Sequence, residues 1–346
     1  MKCRNDLFFY VAATTILWLL LLSCSRNIRN EVTHISPKLL TTNEIENPCL
    51  VSMSLKLNYS YLFCITNCAK KYVWLIDANT LKVAKQFGNK GLARAEFEMP
   101  IEVKISQEID SSVSLYELNL QRVKKIDLSN VFSSSFNEWN VITDSVADNA
   151  LFGIMDDITI ITDSLLLCQK QAGDNYQIFS YNTYTKKISI IDQYKGFDKK
   201  PLLSRISWFS RCNVTSSYKE KRYAIIFKYL NSVSFYDLNN NLIKHHSFEQ
   251  VKPPETYEEY NNMTTSANYF NYYYATDNFL FVSRLINNSD RSEILCFDWN
   301  GNLLKILDID HKVVLFAVND QSFELYTIPR LVGSSTIKIY KFNYSL

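Results

Sequence analysis

Residues 292–309, SEILCFDWNGNLLKILDI, constrain the fold of this chain more than any other stretch. An apolar-rich run leads to Asp298, Asn300-Gly301 turns the chain, and a second apolar run returns. An Asn-Gly pair between two such runs predicts a β-hairpin with a type I′ turn, which needs φ > 0 at both central positions. The same unit recurs at residues 72–87, 113–126, 176–191, 233–248 and 337–341. The polar residues that end the first runs are Asp77, Glu117, Asn182, Asp237, Asp298 and Lys341, spaced by 40 to 65 residues. Six copies at about 50 residues each fall near the size of propeller blades. A further strand-like run precedes each hairpin, at residues 61–65, 101–105, 158–168, 223–229, 279–286 and 313–318. No long stripe with helical spacing competes. These patterns predict an all-β, six-bladed β-propeller. The last copy stops short, so residues 32–45 are expected to add a strand to the final blade and remove its open edge.

The first 24 residues stand apart. Lys2 and Arg4 precede an uncharged apolar run, residues 8–22, that ends in Leu21-Leu22-Ser23-Cys24. The run is shorter than the roughly 18 to 20 residues a membrane-spanning helix needs, so it predicts an export signal. Its end resembles the lipobox of bacterial lipoproteins. That resemblance implies residues 1–23 as a lipoprotein signal peptide, Cys24 as the residue that carries acyl chains, and residues 24–31 as lipidated Cys and tether, leaving 32–346 for the propeller. Acyl chains on Cys24 would hold the protein to a membrane, since each buried CH₂ contributes about 0.8 kcal/mol. Ser25 is not the Asp that retains enterobacterial lipoproteins in the inner membrane. Residues 25–31 also lack the acidic run that resembles a surface-export signal. Together these imply an outer-membrane lipoprotein that faces the periplasm.

Composition agrees with strands. The chain has 22 Tyr and 21 Phe but only 7 Gly, so its turns are expected to rely on Asn and Asp. Net charge is +2, about +1 without the signal segment, and gives no nucleic-acid footprint. Removing Cys3 and committing Cys24 leaves Cys49, Cys64, Cys68, Cys168, Cys212 and Cys296. Export permits disulfides, yet several of these lie in apolar runs where a thiol behaves as a small hydrophobe. Cys64 and Cys68 are the only close pair and have a spacing that can bridge a bend.

Between the first two hairpins stand Phe87-Gly88-Asn89-Lys90-Gly91, then Ala95-Glu96-Phe97 and Pro100. This resembles a loop motif of the TolB-like six-bladed β-propeller lipoproteins common in Bacteroidota, matched at Gly88, Gly91, Glu96, Phe97 and Pro100. Residues 92–95 depart from the Gly-Pro-Gly portion of that pattern. With the lipobox and six hairpins, the resemblance spans nearly the whole mature chain. It implies no general activity. Packing alone would make Phe97 a pin between blades and Glu96 an acceptor of backbone hydrogen bonds.

Catalytic signals are poor. Of four His, the adjacent His245 and His246 point to opposite sides of a strand, and there is no HExxH, P-loop, GxSxG or CxxC. Lactonase-like propellers hold a divalent metal in the central channel, but Asp156, Asp157, Asp163 and Asp277 mostly lie near predicted turns. The unusual segment is residues 249–276. It contains Tyr257, Tyr260 and the run Tyr272-Tyr273-Tyr274. These five tyrosines are candidate ligand-binding residues, forming a lip whose rings stack and whose hydroxyls hydrogen-bond. The competing reading makes 272–274 the start of an innermost strand. The expected function is a binding or scaffold module for a glycan, peptide or envelope protein, with no cofactor and no catalytic or metal residue assigned. The alternative is a metal-dependent hydrolase or lyase in the central channel. Three or more carboxylate and amide side chains at the channel mouth would favour that enzyme, and a lining of apolar or unpaired polar groups would favour a binder.

Overall fold

The structure is a computed structural model. It describes residues 32–346 except 48, 94, 105–110, 118–119, 121, 139–141, 147–154, 173–174, 198–210, 249–255, 267–268, 287–288, 330–333 and 345–346. The signal peptide, Cys24 and the tether therefore lie outside the described residues. The chain divides into residues Met1–Thr33 and a compact unit, His34–Leu346.

The compact unit is a ring of six sheets, each built on an antiparallel meander. Blade one contains β3 (Leu50–Lys56), β4 (Tyr61–Thr66), β5 (Lys71–Asp77), β6 (Val83–Lys90) and the short β7 (Glu96–Phe97). Blade two has β8 (Pro100–Glu102), β9 (Ser112–Glu117), β10 (Arg122–Asp127) and β11 (Ile142–Val146). Blade three has β12 (Met155–Thr162), β13 (Leu165–Ala172), β14 (Asn175–Asn182) and β15 (Ile188–Ile191). Blade four has β16 (Cys212–Ser217), β17 (Arg222–Phe227), β18 (Ser232–Asp237) and β19 (Leu242–Ser247). A helix, α1 (Tyr257–Ser266), precedes blade five: β20 (Tyr269–Ala275), β21 (Phe279–Leu285), β22 (Ser292–Asp298) and β23 (Leu303–Ile309). Blade six has β24 (Val313–Asn319), β25 (Glu324–Pro329) and β26 (Thr336–Asn343).

The ring is closed by the N-terminal part of the fold. Strand β2 (Lys38–Glu46) forms the outer strand of blade six, paired from Lys38 opposite Asn343 to Glu46 opposite Thr336 with one register slip between Leu39 and Thr41. A short preceding strand, β1 (Thr33–Ile35), lies beside β23 at the edge of blade five. The core is a set of layers between blades. Phe63, Phe87 and Phe97 of blade one meet Val113, Leu115 and Ile126 of blade two. Similar layers join the blades around the ring, and blades five, six and one share the largest. Each sheet is packed on both faces, so its strands read as continuous apolar runs and not as strict alternation.

Three sequence expectations change. Residues 158–168 are two strands, β12 and β13, which turn at 163–164. In blade two the predicted hairpin joins the second and third strands, whereas in the other blades it joins the third and fourth. The residue equivalent to Asp77 is Asp127, whose Oδ1 accepts the Ser129 N–H (2.9 Å) as Asp77 Oδ1 accepts that of Thr80 (2.7 Å). Glu117 ends β9 as a buried carboxylate ion-paired to Arg122 and Lys124. The third strand of blade six likewise runs on to Asn343, past Lys341.

Turn chemistry also differs. The Gly301 N–H donates to the Asp298 carbonyl (3.0 Å), and the register slips between Cys296 and Phe297. Gly301 has φ +78°, whereas Asn300 is not among the positive-φ residues. This is a three-residue loop with a bulge, not the type I′ turn. Blade four repeats it with Asn240 (φ +63°) in the glycine position. Elsewhere Leu81 and Lys186 take the left-handed position. Asp serves the turns as an acceptor: Asp237 and Asp298 each take the N–H of the Asn four residues on, at 2.8 and 2.7 Å. The disulfide joins Cys68 to Cys49, not to Cys64, across the end of the β3–β4 ladder. Cys64, Cys168, Cys212 and Cys296 are buried free thiols.

A chain that starts at Asn47 lacks β2 and exposes both β26 and the inner layer beside Ile45. It is expected to unfold at lower urea and to elute as dimers or aggregates on size exclusion, while the full chain elutes as one species. An unchanged profile would show that β2 does not close the ring.

Candidate functional site

The first strands of the blades line the central channel, and β3, β24, β20, β16 and β12 follow one another around it. Near the starts of these strands lies a cavity of about 260 Å³. Blade one gives Val51, Ser52 and Ile65, and blade two gives Pro100, Ile101 and Glu102, followed by Lys104. Blade three gives Asp157. Blade four contributes Asn213 with the flanking Arg211 and Lys228, and blade five contributes Asn271, Tyr272 and Tyr273.

The pleat of β20 organises this site. Successive side chains of a strand point to opposite faces. Tyr272 and Tyr274 therefore share one face and reach the backbone of β3. The Met53 N–H donates to Tyr272 Oη (3.3 Å) and the Leu55 N–H to Tyr274 Oη (3.2 Å). Tyr273 takes the other face, where its hydroxyl lies 2.7 Å from Asp157 Oδ2 and 3.0 Å from the Val214 carbonyl. Burial, then the Asp157 charge, pushes the Tyr273 phenol well above its ordinary value. Burial also raises that of Tyr272.

Both carboxylates are already served. Asp157 faces the Lys104 ammonium at 3.3 Å and accepts from Asn213 Nδ2 and the Val214 N–H, each at 3.2 Å. Lys104 also lies over the Tyr273 ring, 3.8 Å from its centre. Glu102 faces Lys56 at 3.6 Å and accepts from Ser54 Oγ at 2.8 Å. Lys228 differs. Burial, then the charge of Arg211, brings its ammonium down to about 8. Lys228 has no carboxylate partner among the described residues. The Ser52 hydroxyl, in the same lining, is buried without a hydrogen-bond partner among the described residues.

The candidate tyrosines separate. Tyr272 and Tyr273 line the cavity and Tyr274 supports it. Tyr257 is exposed on α1, and the side chain of Tyr260 lies outside the described residues. Tyr257 does not join Tyr272 and Tyr273 in the cavity lining. The helix has a sequence signature that turn composition hides: Thr256 caps it by accepting the Glu259 N–H (3.1 Å), in a Ser/Thr-x-x-Glu pattern. Asp157 is not a turn residue but a buried member of β12.

The Gly88–Pro100 motif is mostly structural. Gly88 has φ +75°, and a Cβ there would sit 2.5 Å from the buried Phe97 ring. Gly91 lies against Glu96, whose carboxylate accepts the Ala93 N–H (3.0 Å). Lys124 and Arg122 of blade two take the carbonyls of Ala93 (3.1 Å) and Leu92 (2.9 Å). The loop thus fastens blade one to blade two. Pro100 alone reaches the cavity, opening β8 at the channel edge, where its missing N–H removes no ladder bond.

Among the described residues, one cluster offers three metal-ligating side chains: His34, Glu293 and Asp308, their ligand atoms within 4.8 Å of one another. It sits on the outer strands of blade five, not in the channel. Arg284, Glu293 and Asp308 lie in one cross-strand row, and Arg284 Nε already donates to Glu293 (3.0 Å). The row reads as charge compensation.

No family model matches the chain, and no curated protein matches it. The crystal structure of a member of the DUF4221 family from Bacteroides vulgatus ATCC 8482 superposes with a TM-score of 0.59 at 11% identity, covering 89% of this chain and 98% of that one. The β-propeller domain of Cps50 (Swd1) from Myceliophteria thermophila gives a TM-score of 0.48 at 9% identity, covering 88% of this chain and 99% of that one. The first likeness supports the six-bladed propeller and carries no activity with it.

Asp157→Ala strands the Lys104 ammonium and the Val214 N–H in the channel. Urea unfolding is expected to show a loss of about 3 to 5 kcal/mol. Tyr273→Phe leaves the ion pair in place and should cost about 1 to 3 kcal/mol.

Proposed function

We propose that this propeller is a binding module, anchored to the outer membrane through acyl chains on Cys24 and facing the periplasm, whose ligand occupies the channel cavity. The observation that carries this reading is the lining itself. Five blades supply it, and among the described residues it retains an unpartnered hydroxyl, Ser52, and an ammonium without a carboxylate, Lys228. Such groups are costly to bury unless something hydrogen-bonds them. The lipobox-like end at residues 21–24 and the Cys49–Cys68 disulfide are consistent with export. The likeness to TolB-like lipoproteins belongs to the same reading and rests on the Gly88, Gly91, Glu96, Phe97 and Pro100 pattern.

One observation favours the hydrolase or lyase alternative. Glu102, Asp157, Asn213 and Asn271 bring four carboxylate and amide groups to the channel. Against it, Lys56 and Lys104 neutralise both carboxylates, and Asn271 Nδ2 is spent on the Val313 carbonyl (3.0 Å). A cation entering this lining would have to displace two ammonium groups.

Thermal shift on the full chain in detergent separates the two readings, using calcium, magnesium and zinc alongside neutral and acidic glycans and short peptides. A ligand at 100 times its Kd stabilises the fold by about 2.7 kcal/mol. The binder reading expects a shift from an organic ligand that EDTA leaves unchanged. A metal shift that EDTA reverses and Asp157→Asn removes would transfer the site to the enzyme. For the anchor, Cys24→Ser is expected to abolish fatty-acid labelling and release the protein from the membrane fraction.

A further inference from the structure

The cavity is lopsided. Val51 and Ile65 of blade one, with Pro100 and Ile101 of blade two, make an apolar wall. Arg211 and Lys228 stand on blade four. The β16–β17 ladder pairs Cys212 with Phe227, and the Lys228 N–H donates to the Arg211 carbonyl one step further (3.3 Å). Residues opposite each other in an antiparallel ladder share a face, and like charges placed so are destabilising. The folded chain holds these two cations side by side without a carboxylate beside Lys228 among the described residues. The rings of Tyr229 and Tyr269 flank that ammonium, at 5.4 and 5.6 Å from their centres. In blade five, by contrast, the Arg284 guanidinium is met by Glu293.

We propose that the cavity takes a small amphipathic carboxylate, its anionic head received by Lys228 and Arg211 and its short aliphatic body laid against Val51, Ile65, Pro100 and Ile101. This rests on the binding-module reading and names its ligand class. The acids of the cavity do not compete for Lys228, since Asp157 is held by Lys104 and Glu102 by Lys56. The Ser52 hydroxyl supplies a free donor on the apolar side. Arg adds a planar fork that matches a carboxylate. The volume, about 260 Å³, lies below the roughly 300 to 1,000 Å³ of sites for drug-sized molecules. It suits a branched short-chain acid or the last residue of a peptide.

The groups around Lys228 set the pH dependence. The Arg211 guanidinium stands beside it, Lys104 is paired with Asp157 and Lys56 with Glu102, and the phenols of Tyr272 and Tyr273 are pushed up. Lys228, brought down to about 8, loses its proton as pH rises through that value. Carboxylate affinity is therefore full below it and falls above it, where deprotonation competes with binding.

Calorimetry on the full chain in detergent tests this with 4-methylpentanoate and its amide, acetyl-Gly-Leu and its C-terminal amide, glucuronate, and inorganic phosphate. Either acid is expected to bind at least tenfold more tightly than its amide, glucuronate or phosphate. The free acid and the peptide acid, compared with each other, identify the source of the head group. Lys228→Met is expected to weaken the acids tenfold or more and to remove the decline between pH 7 and 9. Lys228→Arg should restore affinity without restoring the decline. Both variants should unfold in one cooperative transition like the parent, since only the ring contacts to Tyr229 and Tyr269 change. Amides that bind as well as acids, or glucuronate and phosphate that match the aliphatic acids, would overturn the inference. Binding of a neutral glycan or peptide in place of every acid would do so while leaving the binding module intact. Silence across all ligands would remove both.

Discussion

The pairing of β2 with β26 is the interaction on which the rest of this structure depends. Each blade is a small twisted sheet whose two faces are both apolar, and it is stable only between two neighbours. Five of the layers between blades connect to elements close in sequence. The closure joins residues 38–46 to residues 336–343, and Asn43 Nδ2 also reaches the Leu81 carbonyl of blade one (2.8 Å). Without that strand the last blade would offer an open edge, and the first and last blades would lose the layer they share around Ile45 and Phe316.

Closure also makes the channel. Glu102, Asp157, Lys104, Arg211 and Lys228 come from blades two, three and four, so residues more than a hundred positions apart meet there. The pleat of a single strand, β20, ties them to the rest: Tyr272 and Tyr274 bind across to blade one, and Tyr273 binds to blades three and four. The result is a polar plug in which buried charges are matched one to one. Blade four carries the exception, Lys228, which has no carboxylate partner among the described residues and faces an apolar wall.

Much of the architecture was legible because its causes are local. Six hairpins, their strand composition and the need for a closing N-terminal strand follow from turn residues and from the ban on open edges. The same local reasoning placed the turn of blade two at Glu117, since a carboxylate after an apolar run looks alike at any strand end. Only its burial against Arg122 and Lys124 distinguishes it from Asp127, which faces solvent and caps its turn. Asn300-Gly301 marked a reversal correctly, yet its turn is longer than type I′ because Asp298 captures Gly301 and Asn302. The pairing of Cys68 skipped its nearest neighbour because Cys64 is a buried member of β4, while Cys49 lies beside the end of the same ladder.

The sequence by itself determined the blade count, the all-β class and the position of the closing strand, since hairpin periodicity and edge protection operate over a few dozen residues. Tertiary structure alone decided which tyrosines line the cavity, which carboxylates are neutralised, and where an ammonium stands without a carboxylate among the described residues. Those properties depend on side chains from five blades meeting at one point of a closed ring, and distance in space carries no mark in the order of residues.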